Sequence, residues 1–178
     1  MERARATAAR VRRIRGDAEL FQPFPPVVVA QAWLRHFDSD ALRYPVLVVA
    51  GGPRTGKTEW AKSLFENPLE LKVGALEYFP EGMRAFDRGT HDAVILDDVR
   101  DLKFLVAHQE KLQGKYDHEV EFASTPGGQC SFKRDLFAIP MVVTVNYTTK
   151  NLDLLDTDDW LGNAGNRVVV KWPPPEDA

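Results

Sequence analysis

The sequence predicts an α/β protein with a mainly parallel β-sheet, on three observations. Four short apolar runs are typical of strands buried on both faces: residues 46–50, 93–96, 141–145 and 168–170. Segments with helical character lie between these runs. A glycine-rich loop leads from the first run directly into one of these helices. Strands that alternate with helices favour a parallel sheet covered by helices.

Residues 1–26 are predicted to form a basic arm and a proline-rich linker. Residues 1–15 hold six arginines and one acid, so this stretch carries +5 and the rest of the chain carries −8 of the total charge of −3. An acidic body does not hold nucleic acid through its overall field, so a local basic loop or arm would be needed. The arm is predicted to be helical or disordered. Prolines in residues 21–26 favour an extended linker.

The remaining elements follow in order along the chain. Residues 27–43 predict a helical lead-in, in which the apolar stripe of 27–37 is a packing face. The main domain is predicted to span residues 44–172, and three prolines open a tail over 173–178. Inside that domain we expect a helix over 57–65, a weaker strand over 71–76, a helix over 101–112, and a β-hairpin formed by 116–122 and 129–132.

The composition argues against membrane and secreted classes. No apolar run approaches the roughly 20 residues needed to cross a bilayer, and the arginine-rich start lacks the apolar stretch of a signal peptide. The single cysteine, Cys130, cannot form an internal disulfide, which fits a reducing compartment. We therefore expect an intracellular protein with no membrane partner.

The glycine-rich loop has the pattern G-x-x-x-x-G-K-T between a buried strand and a helix, the context that a phosphate-binding loop requires. Its glycines let backbone N–H groups point at a phosphate, and the helix start favours the same anion. Lys57 would reach the β- and γ-phosphates, and the Thr58 hydroxyl would bind Mg²⁺. The sequence thus predicts a site for ATP and Mg²⁺ at Gly51, Gly52, Pro53, Arg54, Thr55, Gly56, Lys57 and Thr58.

Polar side chains follow two of the other apolar runs. Asp97 and Asp98 end the second run, and in a parallel sheet that end lies beside the phosphate loop. Asp97 is predicted to hold Mg²⁺ through its water shell, and Asp98 to orient or deprotonate the attacking water. Asn146 ends the third run, where it would help to position that water. The alternative interpretation is that Asn146 only opens a turn.

These motifs resemble the ATPase half of the replication-initiator (Rep) proteins of geminiviruses, circoviruses and related single-stranded DNA viruses. Residues 54–64 (Arg-Thr-Gly-Lys-Thr-Glu-Trp-Ala-Lys-Ser-Leu) are similar to the family's phosphate-loop helix. Residues 94–98 (Val-Ile-Leu-Asp-Asp) resemble its Walker B motif, 115–128 its B-prime hairpin, and 144–146 (Thr-Val-Asn) its motif C. The resemblance covers about residues 44–172, with every motif in order.

The resemblance implies a P-loop NTPase fold of the AAA+ class, a three-layer sandwich with a β-hairpin insertion, acting as a superfamily 3 helicase domain. It implies ATP hydrolysis by a homo-oligomeric ring, a hexamer in that family, whose hairpins pull on single-stranded DNA or RNA. Arg167 sits where the family carries an arginine finger, which would act in trans on a neighbour's nucleotide. For a virus-derived chain the implied location is the host nucleus.

The sequence departs from the family in two places. The family's hairpin usually carries a lysine just before paired glycines, and here that position is Pro126. Lys115, Lys133 and Arg134 are then the candidates for nucleic-acid contact. The nuclease half is also missing, because only about forty residues precede the core and they hold neither a His-hydrophobic-His pair nor a tyrosine followed by a lysine. We therefore expect no nicking of DNA.

Two other functions stay open. A small P-loop kinase that phosphorylates a nucleotide or metabolite would fit the size and the loop. Such kinases usually need an arginine-rich lid, however, and the clustered arginines here lie far upstream. The other possibility is a virus-derived remnant that binds ATP without unwinding nucleic acid. Zinc chemistry is not indicated, because the four histidines are scattered and the cysteine is alone.

Overall fold

The computed structural model describes residues 24–73, 79–114, 119–123 and 131–174. These residues form the strands β1 (Val46–Gly51), β2 (Leu69–Lys72), β3 (Val94–Val99), β4 (Glu119–Ala123), β5 (Ser131–Asp135), β6 (Met141–Asn146) and β7 (Arg167–Trp172). They also form the helices α1 (Val28–Arg35), α2 (Lys57–Ser63), α3 (Phe79–Gly82), α4 (Lys103–Ala107), α5 (Gln109–Leu112) and α6 (Thr149–Thr157), with 3₁₀ turns at His36–Asp38 and Met83–Ala85.

Five of the strands form one sheet in the order β2-β3-β6-β1-β7, and every neighbouring pair is parallel. Their carboxyl ends therefore share one edge of the sheet, with β1 between β6 and β7. The strands β4 and β5 form a separate antiparallel hairpin. The predicted α/β class with a parallel sheet and a hairpin insertion is confirmed.

Two apolar cores, one on each face of the sheet, make the fold three-layered. Because side chains alternate along a strand, Leu47 and Val49 of β1 pack with Trp33 and Trp60 under α1 and α2. Val46, Val48 and Ala50 of the same strand belong to the opposite core, which also contains Phe104, Leu112, Phe122 and Leu155. The predicted three-layer arrangement is confirmed. The predicted runs in β1, β3 and β6 are buried on both faces, whereas the run in β7, at the edge of the sheet, is only partly buried.

Several boundaries differ from the predictions. The helix predicted over 101–112 is wrong as a single element, because the chain forms α4 and α5 with a break at His108, where φ is −116° and ψ is 17°. The second strand begins earlier than predicted, and β5 ends later, at Asp135. Lys115, Cys130, the hairpin turn with Pro126, the arm and the final residues 175–178 lie outside the described residues.

The β3 strand contains one irregularity at the position that matters for the site. Leu96 pairs with Val143 and Val99 with Val145, so β3 holds one residue more than its partner between these pairs. Asp98 takes up the extra residue with φ of +55°, in the left-handed region. Such a bulge redirects a side chain at the end of a strand. No helix in the described part of the chain is long and apolar enough to cross a membrane.

Candidate active site

An open cleft of about 590 Å³ lies at the carboxyl edge of the sheet, and this volume is in the range of small-molecule sites. It collects residues from the ends of three neighbouring strands, β2, β3 and β6, from the glycine-rich loop and from the start of α2. The lining consists of Pro53, Arg54, Lys57, Thr58, Lys72, Asp97, Asp98, Thr144, Val145 and Asn146. The predicted loop, acidic pair and asparagine thus meet in one cleft.

The glycine-rich loop is held in place by β7. A β-carbon added to Gly51 would lie 2.2 Å from the carbonyl oxygen of Trp172, so only glycine permits this approach of β1 to β7. The indole Nε1 of Trp172 donates a hydrogen bond to the Thr55 carbonyl (2.7 Å), and the Thr55 hydroxyl donates to Gly52 O (2.9 Å). Gly56 precedes α2 with φ of +86°. The loop is therefore preorganised before any ligand contacts it.

Lys57 reaches into the centre of the loop and is 8% exposed. Its Nζ donates to Gly51 O (3.3 Å), Gly52 O (2.5 Å) and the side-chain oxygen of Asn146 (3.0 Å). Burial lowers the pKa of Lys57, while the charges of Asp98 and Asp97 act in the opposite direction. An ammonium group that is poorly hydrated and held among carbonyl oxygens is well suited to exchange those partners for phosphate oxygens.

Three oxygen atoms converge at the end of β3. Asp97 Oδ1 accepts hydrogen bonds from the Thr58 hydroxyl (2.6 Å) and from the Thr144 hydroxyl (2.7 Å). A carboxylate and a threonine hydroxyl this close are hard oxygen donors of the kind that Mg²⁺ prefers, so these residues fit that ion. Thr144 orients the carboxylate that would hold it.

Asp98 and Asn146 form the other half of the cleft. The bulge directs Asp98 into the cleft, and its backbone N–H donates to the Thr144 hydroxyl (3.0 Å). Asn146 Nδ2 lies 3.4 Å from Asp98 Oδ1, while its Oδ1 accepts the bond from Lys57. The two ends of the amide therefore contact the carboxylate and the ammonium in the orientation that suits each charge.

Sequence reasoning missed two polar residues of the cleft. Thr144 is 1% exposed, and its hydroxyl donates a hydrogen bond to Asp97 Oδ1 and accepts one from the backbone N–H of Asp98. In the sequence, however, it looked like one more member of an apolar run. A signal was present, because Thr144 and Asn146 are two residues apart and therefore share a face of β6. Lys72 ends β2 opposite Asp97 and adds a cation to the rim. It was missed because β2 was predicted too far along the chain.

Arg167 lies at the other end of the sheet. It starts β7 and pairs with Val46, the first residue of β1, so roughly 17 Å of strand separates it from the loop of its own chain. Its guanidinium donates to Leu161 O (2.5 Å) and Leu155 O (2.8 Å). It also lines a second cavity of about 360 Å³ beside α6. Arg167 therefore does not reach the phosphate loop of its own chain.

The hairpin divides its two predicted nucleic-acid residues between two faces. Lys133 points outward with 59% of its side chain exposed, 4.0 Å from Glu119. Arg134 points to the body, where its Nε donates to Met83 O (3.1 Å) and its Nη2 to Arg84 O (2.6 Å). The outward positions of β4 and β5 are Glu119, Glu121, Ala123, Ser131, Lys133 and Asp135, which is a net acidic face.

Phe132 explains why Arg134 turns inward. The guanidinium carbon of Arg134 lies 4.7 Å from the centre of the Phe132 ring, and that of Arg84 lies 4.4 Å from it. Phe132 itself stacks on the buried Phe122, with ring centres 5.5 Å apart. Two cation–π contacts and two hydrogen bonds to carbonyls fasten the hairpin to the 3₁₀ turn Met83–Ala85.

Comparisons with known proteins give a limited result. No family model matches the sequence, and no curated protein matches it. Among solved structures, the DnaC helicase loader matches with a TM-score of 0.38 at 13% identity, over 84% of this chain and 93% of that one. NtrX from Brucella abortus matches in its ATP complex with a TM-score of 0.44 at 13% identity, over 97% of this chain and 41% of that one.

The ADP complex of NtrX gives the same picture, with a TM-score of 0.42 at 13% identity over 96% of this chain and 40% of that one. The chain thus spans about two fifths of the length of the NtrX chains. Likeness at these scores identifies no family and transfers no function. The functional assignment depends on the geometry of the cleft.

Proposed function

We propose that this chain binds ATP with Mg²⁺ in the cleft and hydrolyses the terminal phosphate. The observation that carries the proposal is the position of Asn146, which accepts a hydrogen bond from Lys57 Nζ (3.0 Å) and whose Nδ2 is 3.4 Å from Asp98 Oδ1. The amide of Asn146 thus connects Lys57, which is suited to binding phosphate, with Asp98, which is suited to activating water. A site that only bound nucleotide would not need this connection.

Each residue has a defined part in the reaction. Lys57 gives up its carbonyl partners and binds the β- and γ-phosphate oxygens. Asp98 accepts the proton of the attacking water as the oxygen adds to the γ-phosphorus and the bond to the bridging β,γ-oxygen breaks. Asn146 holds that water between Asp98 and the phosphate. Mg²⁺ bound by Thr58 and Asp97 would neutralise charge on the phosphate oxygens.

The finer part of the proposal is that hydrolysis drives a helicase-type motor on single-stranded DNA or RNA, as in Rep proteins of superfamily 3 and the AAA+ class. Its support is the order of motifs over residues 44–172. Arg167 would act in trans within a homo-oligomeric ring, since it lies at the far end of the sheet from its own loop. Of its donors, Nε and Nη2 already bond to carbonyls, which would hold the guanidinium in a fixed direction.

Nucleic-acid contact in this proposal depends on Lys133 and on Lys115, which lies outside the described residues. The outward face of the hairpin is net acidic, so this contact would be local and not driven by the overall field. The chain's location, in a host nucleus or elsewhere inside a cell, follows only from the resemblance and is part of the same proposal.

The test is phosphate release from ATP by the full chain, with and without single-stranded DNA or RNA. We expect turnover in the wild type and loss of ATP binding in Lys57→Ala. Asn146→Ala should keep ATP binding and lower kcat about 100-fold, since it removes one preorganised polar group. Asn163→Ala, which changes an asparagine in the turn before β7, is the matched control and should retain full activity.

The outcomes separate the alternatives. Stimulation of ATP hydrolysis by either nucleic acid supports the motor. If light scattering shows that the chain is an oligomer, loss of turnover with intact ATP binding in Arg167→Ala supports action in trans. Transfer of phosphate to a nucleoside monophosphate without such stimulation would replace the proposal with a kinase. ATP binding without any turnover would identify a remnant that no longer performs work.

A further inference from the structure

The sheet order gives the direction in which a nucleotide must lie. Asp97 and Asp98 lie close to the carboxyl end of β3, Asn146 ends β6, and both strands are on one side of β1. Strand β7 is on the other side and ends at Trp172. A triphosphate whose last phosphate faces Asp98 and Asn146 runs back across the loop that follows β1. Its nucleoside therefore leaves the loop on the β7 side.

Three aromatic side chains are found on that side. Trp172 stacks on Trp60 of α2, with ring centres 4.8 Å apart and an interplanar angle of 27°. Phe24 meets Trp172 edge to face at 5.9 Å. Trp60 and Trp172 are 2% and 4% exposed and belong to the core between α1, α2 and the sheet. Phe24 is different, because 38% of it remains exposed.

Phe24 borders the phosphate loop itself. A β-carbon added to Gly56 would lie 3.7 Å from Phe24 Cε1, and among the described residues no other heavy atom counted outside the loop's immediate neighbours comes within 4 Å of it. The surface beside Gly56 is thus open except for one aromatic ring. A partly exposed phenylalanine next to such an opening is well placed for a flat apolar group.

We infer that Phe24 stacks on the base of a bound purine nucleoside triphosphate. This inference rests on the proposed function, since it uses the direction of the phosphates across the loop. Trp172 is a positioning residue, because it supports Phe24 from the side and holds the Thr55 carbonyl of the loop through its Nε1. Every base offers a face for stacking, but a purine covers more of the ring than a pyrimidine does, so ATP and GTP are favoured over CTP.

Tripolyphosphate distinguishes this inference from the proposed function, because it binds the loop but carries no base. Binding of ATP, GTP, CTP and tripolyphosphate, each with Mg²⁺, is measured by titration calorimetry on the full chain. Phe24→Leu should weaken ATP and GTP about tenfold, which is within the range measured for loss of one base–aromatic stack. Tripolyphosphate affinity should stay unchanged, and the preference for ATP over CTP should shrink.

Two further variants make the result decisive. Phe24→Tyr keeps the ring and should keep wild-type affinity for ATP. Phe137→Leu removes a half-buried phenylalanine at the opposite end of the sheet, beside Tyr44, and should leave all four affinities unchanged. Equal weakening of ATP and tripolyphosphate in Phe24→Leu, or unchanged ATP affinity, would overturn the inference. A wild type that binds neither ATP nor tripolyphosphate would overturn the proposed function, and the inference with it.

Discussion

The cleft and the β4–β5 hairpin both hold charged residues, but the charges are used differently. In the cleft, Lys57 is 8% exposed, and it donates to Gly51 O at the end of β1, to Gly52 O of the loop and to the amide oxygen of Asn146. On the hairpin, Lys133 is 59% exposed with only a 4.0 Å approach to Glu119. Buried charges need several well-placed partners, whereas exposed ones are screened and contribute little. The cleft is thus preorganised for chemistry, and the outer hairpin face is not.

Arg134 shows that the hairpin has a preorganised side as well. Its guanidinium is fixed between two carbonyls and the Phe132 ring, on the side that faces the body. Gly82 of α3 packs against Leu71 of β2, and Lys72, the next residue, lines the cleft. The hairpin is therefore attached to a segment that itself packs on a strand of the active site. Charged side chains with fixed partners thus lie in the cleft and on the inward side of the hairpin, whereas the outward side of the hairpin carries exposed charges.

The largest expected effect comes from replacing one carboxylate by an amide in the cleft, and the same replacement on the hairpin is its control. Asp98→Asn removes the proton acceptor while keeping the volume of the side chain, so kcat should fall about 1,000-fold with ATP affinity nearly unchanged. Glu121→Gln neutralises an outward carboxylate of the hairpin and should leave kcat unchanged. Both are measured by steady-state ATP hydrolysis and by calorimetric binding. Turnover that survives in Asp98→Asn would remove this residue from the mechanism.

A second test concerns the loop's attachment to β7. Gly51→Ala places a methyl group 2.2 Å from the Trp172 carbonyl, and since both atoms are held by backbone, the β1–β7 pairing must shift. We expect a loss of about 3 kcal/mol in the free energy of unfolding.

Gly52→Ala is the matched control, because its methyl group would lie 3.4 Å from a side-chain atom of Thr55, which can move. Its effect should stay below about 1 kcal/mol. Urea unfolding followed by circular dichroism compares the two variants. Equal losses would mean that the close approach of β1 to β7 is not what requires glycine.

The third test compares the inward and outward faces of the hairpin. Arg134→Ala removes hydrogen bonds from a charged donor to Met83 O and Arg84 O and should cost about 2 kcal/mol in unfolding free energy. Lys133→Ala should change stability by less than about 0.5 kcal/mol. If the hairpin contacts nucleic acid, Lys133→Ala alone should lower the stimulated ATPase rate without affecting the basal rate. Unchanged stimulation would exclude the outward face of β5 as that contact.

The same contrast explains what the sequence could predict. Asp97, Asp98 and Asn146 were found because apolar runs mark buried strands, and parallel strands bring their carboxyl ends together. Thr144 was hidden inside such a run, and only the period of two could have pointed to it. Lys133 and Arg134 could not be told apart, because the predicted strand stopped at 132, and alternation within β5 decides which one points outward. The bulge at Asp98 depends on pairing with β6 and leaves no local pattern.

The smallest expected effect is a pH dependence on the hairpin side. His108 separates α4 from α5, packs edge to face on Phe104 at 4.7 Å, and is followed by Lys111, whose Nζ lies 5.1 Å from the Phe122 ring centre. Burial, and then the charge of Lys111, lowers the pKa of His108. The folded state therefore binds fewer protons there than the unfolded state, so stability is full above the unfolded pKa of about 6.5 and falls as the pH drops through it.

This loss should stay below about 1 kcal/mol between pH 7.5 and pH 5, and His108→Gln should remove it. Asp101 does not interfere, because its pKa is lowered, chiefly by the hydrogen bond from Lys150, and its contribution is lost only below about pH 4. Urea unfolding at each pH measures the effect. If the pH dependence of the unfolding free energy persists in His108→Gln, a group other than His108 is responsible for it.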